Sequence, residues 1–146
     1  MRVFLGSDHA GFEMKEALKP YFDRKGIELT DVGPDTDDSV DYPDFAASVA
    51  HAVAEGRADL GVLVCGSGIG MSMAANKVPG VRAAMVTDPE LARMMRLHND
   101  ANIITLGGRY IPLQLAEEIL DAFFDTEFEG GRHQRRIDKI AAMERR

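Results

Sequence analysis

Short apolar runs alternate with segments whose apolar residues recur at helical spacing, and this alternation continues along the chain. Five runs are typical of β-strands, at residues 2–7, 27–33, 60–66, 81–87 and 102–108. The run at 60–66 is almost wholly apolar, which indicates a strand covered on both faces. Helical patterns follow these runs, at residues 11–25, from Pro43 onward, within 66–77, at 89–99, at 111–128 and, as a basic helix, at about 131–146.

Five β-then-α units in sequence predict parallel strands joined by right-handed crossovers. We therefore expect residues 1–146 to form one domain, a three-layer α/β/α fold around a five-stranded parallel sheet. Ligands of such sheets bind beyond the carboxyl ends of the strands. The candidate functional residues are thus those that directly follow a strand, at 7–9, 33 onward, 65–70, 87–88 and 107–109.

Composition and charge narrow the class of protein. The 146 residues are 45% hydrophobic, which suits one globular domain, and one cysteine leaves no disulfide within the chain. No apolar stretch approaches the roughly 20 residues of a membrane helix, and no signal-peptide core is present, so we expect a cytoplasmic protein without a membrane partner. The formal net charge of −7 argues against a nucleic-acid partner, although six Lys and Arg against two Asp and Glu in residues 132–146 allow a local anion site.

The most informative local motif is the strand end CGSGIGMS, where a thiol is followed by three glycines in five positions. The N–H groups around Gly66, Gly68 and Gly70, with the start of the next helix, favour an anion. The spacing matches neither the phosphate loop GxxxxGK[ST] nor a dinucleotide fingerprint after the first strand. Cys65 at this position is a candidate nucleophile or general base. The alternatives are a tight packing turn and a small buried apolar side chain.

Three histidines stand at element ends or on a polar face. Asp8 and His9 follow the first strand as a carboxylate–imidazole pair for proton transfer, with a helix cap as the alternative for Asp8. His98 closes the fourth helix with Asn99, where a histidine also suits the helix dipole. His51 lies on a polar helical face and is assigned to solvent. Because histidines at 9, 51, 98 and 133 show no metal-binding spacing, we expect no metal.

The last helical pattern carries a candidate phosphate site. Arg132 and Arg136 are four residues apart and share one helical face, and two guanidinium groups suit a phosphate monoester. A solvated basic tail is the alternative. The preceding Gly130 and Gly131 let the chain turn sharply and favour a placed helix over a loose tail.

Five separated blocks occur in one order and spacing: SDHAGF, DYPDFA, CGSGIGMSMAANK, RLHNDANI and EGGRHQRRI. Together they resemble the ribose-5-phosphate isomerase type B family, which includes allose-6-phosphate and galactose-6-phosphate isomerases. The resemblance implies a Rossmann-like sandwich, chemistry without metal or cofactor, and an active site between two subunits of a homodimer or homotetramer. It also implies an aldose–ketose isomerase that interconverts ribose 5-phosphate and ribulose 5-phosphate through an enediolate.

The resemblance assigns the proton-transfer chemistry to the loop after the third strand. Cys65 resembles the base that moves a proton between the two carbons, and Ser67 resembles a hydroxyl that handles protons on the substrate oxygens. The N–H groups around Gly66, Gly68 and Gly70 would hold the enediolate. One branch of the family uses a glutamate where this chain has Met71, so the resemblance offers Cys65 as the only such base.

The resemblance also assigns ring opening and phosphate binding. His98 resembles the residue that opens the sugar ring, assisted by Asp8 and His9. Tyr42 and Asn99 would line the pocket. Arg132 and Arg136 resemble the residues that bind the phosphate, with His9 and Arg109 as helpers. Of these residues, His98, Asn99 and Arg109 would reach in from the partner chain.

Three other functions stay open from the sequence. The first is an isomerase of a different phosphosugar, such as a six-carbon or tetrose phosphate. Residues 34–42 and those around Met71 would decide which phosphosugar binds. A non-catalytic phosphosugar-binding protein is the second. A flavodoxin-like or nucleotide-binding module is the third and is disfavoured, because the glycine loop follows the wrong strand.

Overall fold

The computed structural model of the chain describes residues 1–144, which form five strands and six helices. None of these helices is both long and apolar enough to cross a bilayer. In chain order the elements are β1 (Arg2–Ser7), α1 (Phe12–Arg24), β2 (Glu28–Asp31), α2 (Tyr42–Ala54), β3 (Leu60–Cys65), α3 (Ile69–Ala75), β4 (Ala83–Met85), α4 (Pro89–Asn99), β5 (Ile103–Gly107), α5 (Leu113–Asp125) and α6 (Arg132–Ala142).

The five strands form one parallel sheet with the order β2-β1-β3-β5-β4, which confirms the predicted three-layer α/β/α fold. The chain first moves outward from β1 to β2 and then returns to place β3 on the other side of β1. The strand order therefore reverses between β1 and β3. Their carboxyl ends, at Ser7 and Cys65, border the crevice in which ligands of such sheets bind.

Two apolar layers cover the sheet because successive strand residues point to opposite faces. Val62 and Val64 of β3 pack into one layer, while Leu63 and Cys65 pack into the other. Every position of β3 is buried, as its continuous apolar run predicted. This double coverage places Cys65 at the end of a strand that is buried along its whole length.

Some elements are shorter than their patterns predicted. Residue 27 was expected in the second strand, but the N–H of Ile27 donates to Phe22 O and belongs to the turn that ends α1. The fourth strand was expected at 81–87 and spans only Ala83–Met85, because this edge strand pairs on one side alone. The expected last helix ends at Ala142, and residues 145–146 lie outside the described part of the chain.

Candidate active site

A tight turn after β3 holds the thiol of Cys65. The N–H of Gly68 donates a hydrogen bond to Cys65 Sγ at 3.1 Å. Gly68 has a φ of +82°, a conformation that side-chain-bearing residues rarely adopt, and its carbonyl accepts from Thr105 Oγ1 at 2.7 Å. The turn is thus anchored to β5, and it presents a backbone donor to the sulfur.

The hydroxyl of Ser67 lies in the same turn. Its Oγ accepts a hydrogen bond from the N–H of Ile69 at 3.2 Å, which leaves the hydroxyl proton available to another acceptor. The backbone of Ser67 packs closely on β5, since a Cβ on Gly107 would lie 2.7 Å from Ser67 O. The arrangement can therefore offer backbone and hydroxyl donors to a substrate oxygen beside the thiol.

Asp8 and His9 stand at the adjacent end of β1. Asp8 is buried, and its Oδ1 accepts from the N–H of Gly11 at 2.9 Å. This bond closes the turn before α1 and does not cap the helix, whose N-cap is Gly11 itself. His9 Nδ1 accepts from the N–H of Val40 at 3.2 Å. This bond leaves the proton of a neutral imidazole on Nε2 and fixes one tautomer of His9.

Tyr42 and Arg109 close over the glycine turn from two sides. A Cβ on Gly70 would lie 2.6 Å from the Tyr42 ring, so glycine at this position lets the ring rest on the chain. A Cβ on Gly66 would lie 3.3 Å from Arg109 Nη1. Within one chain Arg109 lies against Gly66, and its N–H donates to Gly66 O at 3.1 Å. The contribution of Arg109 to a partner's site stays a prediction.

We call this group the strand-end cluster. Its members lie at the carboxyl ends of β1, β3 and β5, except for Tyr42, which begins α2. The cluster comprises Asp8, His9, Tyr42, Cys65, Gly66, Ser67, Gly68, Gly70 and Arg109. Cys65 is 5% exposed, and Tyr42 is 38% exposed. The thiol therefore sits at the base of the cluster, and the aromatic ring forms its outer wall.

The other predicted residues lie at the end of α4 and on α6, with two neighbours that the sequence did not suggest. His98 and His133 stack with ring centroids 4.4 Å apart and an interplanar angle of 16°. Glu129 Oε2 lies 3.8 Å from His98 Nε2 and 4.0 Å from His133 Nε2. We call this group the helix-end cluster: His98, Asn99, Glu129, Arg132, His133 and Arg136.

Burial and neighbouring charge both act on the His133 ring of this stack. Burial lowers the pKa of His133 below its usual value of 6.5, and the neighbouring His98 adds to this effect. Arg132 and Arg136 act in the same direction, while Glu129 opposes them. His133 is 7% exposed as a residue, so it provides a neutral, mostly enclosed surface against His98 at neutral pH.

The helix-end cluster contains three side chains that are potential metal ligands. Ligand atoms of His98, Glu129 and His133 lie within 4.8 Å of one another, although the sequence spacing suggested no metal site. Two histidines and a carboxylate form a zinc-type donor set. Nearly parallel stacked rings do not direct their lone pairs at one point, so a metal ion would require one ring to turn.

The two clusters lie at opposite edges of the sheet. Cys65 ends β3 and pairs with Gly107 at the carboxyl end of β5. The end of α4 instead lies beside the amino ends of β4 and β5, where Arg82 Nε donates to Asn99 O at 2.9 Å. Five residues of β5 separate these edges by about 15 Å at ~3.3 Å per residue. One chain therefore does not bring Cys65 and His98 together.

Sequence reasoning missed Glu129 and His133 as members of a cluster. His98 and His133 lie on different helices, and Glu129 lies between α5 and α6. No periodic pattern connects such positions, because their proximity depends on how α6 packs against α4. The nearest local signal is the pair Gly130 and Gly131, whose positive φ values of +74° and +59° turn the chain into α6.

Comparison with known proteins identifies relatives over nearly the whole chain. The family model described as Ribose/Galactose Isomerase matches residues 3–140. Ribose-5-phosphate isomerase B of Escherichia coli (strain K12) is 42% identical over 145 residues, which cover 99% of this chain and 97% of that protein.

Solved structures agree with this match. Ribose-5-phosphate isomerase B of Clostridium thermocellum superposes with a TM-score of 0.97 at 48% identity and covers 99% of this chain and 97% of its own. The enzyme of Mycoplasma genitalium, solved with bound ribulose-5-phosphate, has a TM-score of 0.94 at 43% identity, with 98% of this chain and 95% of its own covered. The similarity therefore extends over both clusters.

Proposed function

Because the chain belongs to the ribose/galactose isomerase family, we propose that it interconverts ribose 5-phosphate and ribulose 5-phosphate through an enediolate. The observation that carries this proposal is the Cys65 thiol at the strand-order switch, with the Gly68 N–H at 3.1 Å from its sulfur. The thiolate is the form of a cysteine that removes a proton, and this N–H lies within hydrogen-bond distance of the sulfur. No redox group is needed, since the reaction only moves protons between carbons and oxygens.

Cys65 serves as the base in the proton-transfer step. The thiolate removes the proton from C2 of the open-chain aldose, and the C2–H electron pair forms the enediolate. Return of the proton to C1, with transfer of the O2 proton to O1, leaves a carbonyl at C2 and gives the ketose. Ser67 and the N–H groups around Gly66, Gly68 and Gly70 hold the oxygens, and preorganised donors of this kind typically contribute a few kcal/mol each.

His98 opens the furanose ring, with Asp8 and His9 as helpers. In this step the anomeric O1–H bond breaks and its electron pair forms the C1=O1 bond. The C1–O4 bond then breaks, and O4 takes a proton. The fixed tautomer of His9, which presents Nε2–H, supports its role as a donor near the substrate oxygens.

The phosphate lies against the arginines. Arg132 and Arg136 occupy successive turns of α6 and are exposed, so both guanidinium groups are available to one phosphate. His9 and Arg109 help from the strand-end cluster, while Tyr42 and Asn99 line the pocket. Binding energy from this remote group positions the reacting carbons.

A complete site on this proposal takes one cluster from each of two subunits. The clusters lie at opposite edges of one chain, so His98, Asn99, Arg132 and Arg136 would meet the thiol of a partner copy. Exposed apolar side chains on α3, on β4 and on or just after α6 support burial in a homodimer or a homotetramer, namely Ile69, Met73, Met85, Ile140 and Met143. We place this assembly in the cytoplasm, as expected for an enzyme of phosphorylated sugars.

Replacement of the thiol tests the chemistry. We expect Cys65→Ala to lower kcat on ribose 5-phosphate by at least ~10²-fold, the low end for loss of a general base. His51→Ala is the matched control, because His51 is exposed on α2. Unchanged turnover by a folded Cys65→Ala protein would remove the proposed base.

Mixing two inactive variants tests the shared site. Cys65→Ala and His98→Asn subunits, unfolded together and refolded at equal concentration, form mixed dimers with one intact and one doubly altered site. About a quarter of wild-type activity should return if two-fold symmetric dimers form at random. Failure to regain activity, with both variants folded and dimeric, would contradict the shared site.

Substrate choice requires a separate comparison. Four-, five- and six-carbon aldose phosphates compared by kcat/KM would distinguish ribose 5-phosphate from a tetrose or hexose phosphate. Binding without turnover of any of them would support the non-catalytic alternative. Nucleotide binding in the same titration would favour a nucleotide-binding module.

A further inference from the structure

We propose that His133 and Glu129 are positioning residues that hold the His98 imidazole in the orientation needed for ring opening. This inference deepens the proposed function and rests on it, since His98 acts on the substrate there. The sequence assigns no role to either residue. The geometry of the helix-end cluster carries the proposal.

His98 needs support because of where it lies. It is the penultimate residue of α4, and its side chain is 41% exposed. An imidazole at such an end has several rotamers available, whereas proton transfer requires one within hydrogen-bond reach of the substrate. An unsupported His98 would spend part of its time in orientations that cannot react.

His133 provides a fixed surface for that ring. Its side chain is only 9% exposed in the first turn of α6, so its own position is set by packing. With the centroids 4.4 Å apart and planes within 16°, rotation of His98 about its ring bond would drive its edge into His133. The stack therefore restricts His98 and shields one of its faces from water.

Glu129 determines which nitrogen of His98 faces the substrate. Its backbone N–H donates to Leu97 O at 3.1 Å, so the main chain from which this carboxylate extends is tied to α4 itself. Glu129 Oε2 lies 3.8 Å from His98 Nε2, a distance at which the negative charge favours a proton on that nitrogen. His98 Nδ1 is then the nitrogen that takes the O1 proton when the ring opens.

The charged groups around the two stacked rings are consistent with separate roles for His133 and Glu129. Arg132 and Arg136 on α6 place positive charge beside His133, while Glu129 supplies the negative charge. The positive charges of Arg132 and Arg136 disfavour protonation of His133. His133 therefore acts as an uncharged support, and Glu129 provides the electrostatic orientation.

A comparison of two rates separates positioning of His98 from a general structural role. Ribose 5-phosphate is largely a furanose and requires ring opening. Ribulose 5-phosphate is acyclic, because its O5 carries the phosphate and cannot close on C2. We therefore compare steady-state kcat on ribose 5-phosphate with single-turnover consumption of ribulose 5-phosphate by excess enzyme, which reports proton transfer alone.

The variants are His133→Ala, His133→Phe and Glu129→Gln, with His51→Ala as control. We expect His133→Ala to lower kcat on ribose 5-phosphate about 10-fold, part of the 10²–10⁴-fold typical of acid–base groups, with the ribulose 5-phosphate rate within about twofold. His133→Phe keeps a flat ring against His98 and should restore most of the loss. Glu129→Gln, at a position 58% exposed, should lower the same rate about threefold or more without affecting folding.

Equal losses on both substrates, or no loss for folded His133→Ala and Glu129→Gln, would overturn the proposal. His98→Asn identifies which idea has failed. If His98→Asn lowers the ribose 5-phosphate rate much more than the ribulose 5-phosphate rate, and the variants of His133 and Glu129 do not, the positioning proposal is wrong and the proposed function stands. If His98→Asn changes both rates equally, or neither of them, the assignment of ring opening to His98 is wrong.

Discussion

Gly68 lies where the thiol, β5 and the glycine turn meet, so Gly68→Ala perturbs all three. At this position φ is +82°, and an added Cβ would lie 2.9 Å from Met85 Cγ, 3.0 Å from Leu106 C and 3.2 Å from Gly107 N. Met85 is half-exposed and can yield, but the two β5 backbone atoms cannot move without disturbing the strand. The matched control is Gly26→Ala, where φ is +68° and nothing lies within 4 Å of the added Cβ.

The two substitutions share one cost and differ in the other. Placing alanine in the left-handed conformation costs about 1–2 kcal/mol at either position. Overpacking against β5 adds about 1–3 kcal/mol at position 68 alone. We therefore expect Gly68→Ala to lower the unfolding free energy by roughly 2–5 kcal/mol, against roughly 1–2 kcal/mol for Gly26→Ala.

Thermal unfolding and isomerase assays measure both consequences. Each kcal/mol corresponds to about 2–4 °C in Tm for a domain of this size. Displacement of the Gly68 N–H from Cys65 Sγ should also lower kcat by at least ~10-fold, because misplacement near 1 Å can cost up to ~10²-fold. Equal losses of stability in the two variants, or full activity of Gly68→Ala, would refute the argument that this turn is sterically fixed against β5.

Three further predictions concern stability, measured by urea unfolding. Asp31→Ala should cost up to about 3 kcal/mol, because it removes the 2.6 Å partner of the fully buried Lys15 Nζ and leaves it only Glu16 at 3.0 Å. Lys15→Met should cost less, about 1–2 kcal/mol, because Asp31 keeps Lys19 at 2.9 Å. The folded-state pKa of His133 is lowered from 6.5, so at this residue the unfolded chain binds more protons than the folded chain. The unfolding free energy should therefore fall as pH drops through about 6.5, and His133→Asn should reduce this pH dependence between pH 7.5 and 5.5. Tyr21→Phe should cost about 1 kcal/mol by removing the 2.7 Å hydrogen bond to Asp121, and an unchanged midpoint would contradict this.

The strand-end cluster could be predicted because its order along the chain is local. A continuous apolar run predicts β3, and parallel strands place the residues after β1, β3 and β5 at one edge. Cys65, Asp8 and Arg109 follow from that argument alone. What the pattern did not predict is that Arg109 lies against Gly66 of the same chain, since this depends on the Arg109 N–H to Gly66 O bond.

The helix-end cluster could be predicted only in part. Arg132 and Arg136 follow from helical spacing, and α6 does begin at Arg132. The stack of His98 on His133 joins two helices that are far apart in sequence, and hydrophobic periodicity contains no information about it. The bounds of β4 also differ from the pattern, because only three residues of the run at 81–87 pair with β5.

Chain direction makes the separation of the two clusters a property of the fold. In a βαβ unit the helix runs antiparallel to the strands, so residues at a helix end lie at the edge from which the next strand starts. His98 ends α4 and Cys65 ends β3, which places them at opposite edges however the side chains turn. Local rearrangement of about 1–2 Å cannot span a gap of roughly 15 Å. If both residues serve one sugar, two chains must therefore contribute to each site, and the interface becomes as necessary to the activity as the thiol.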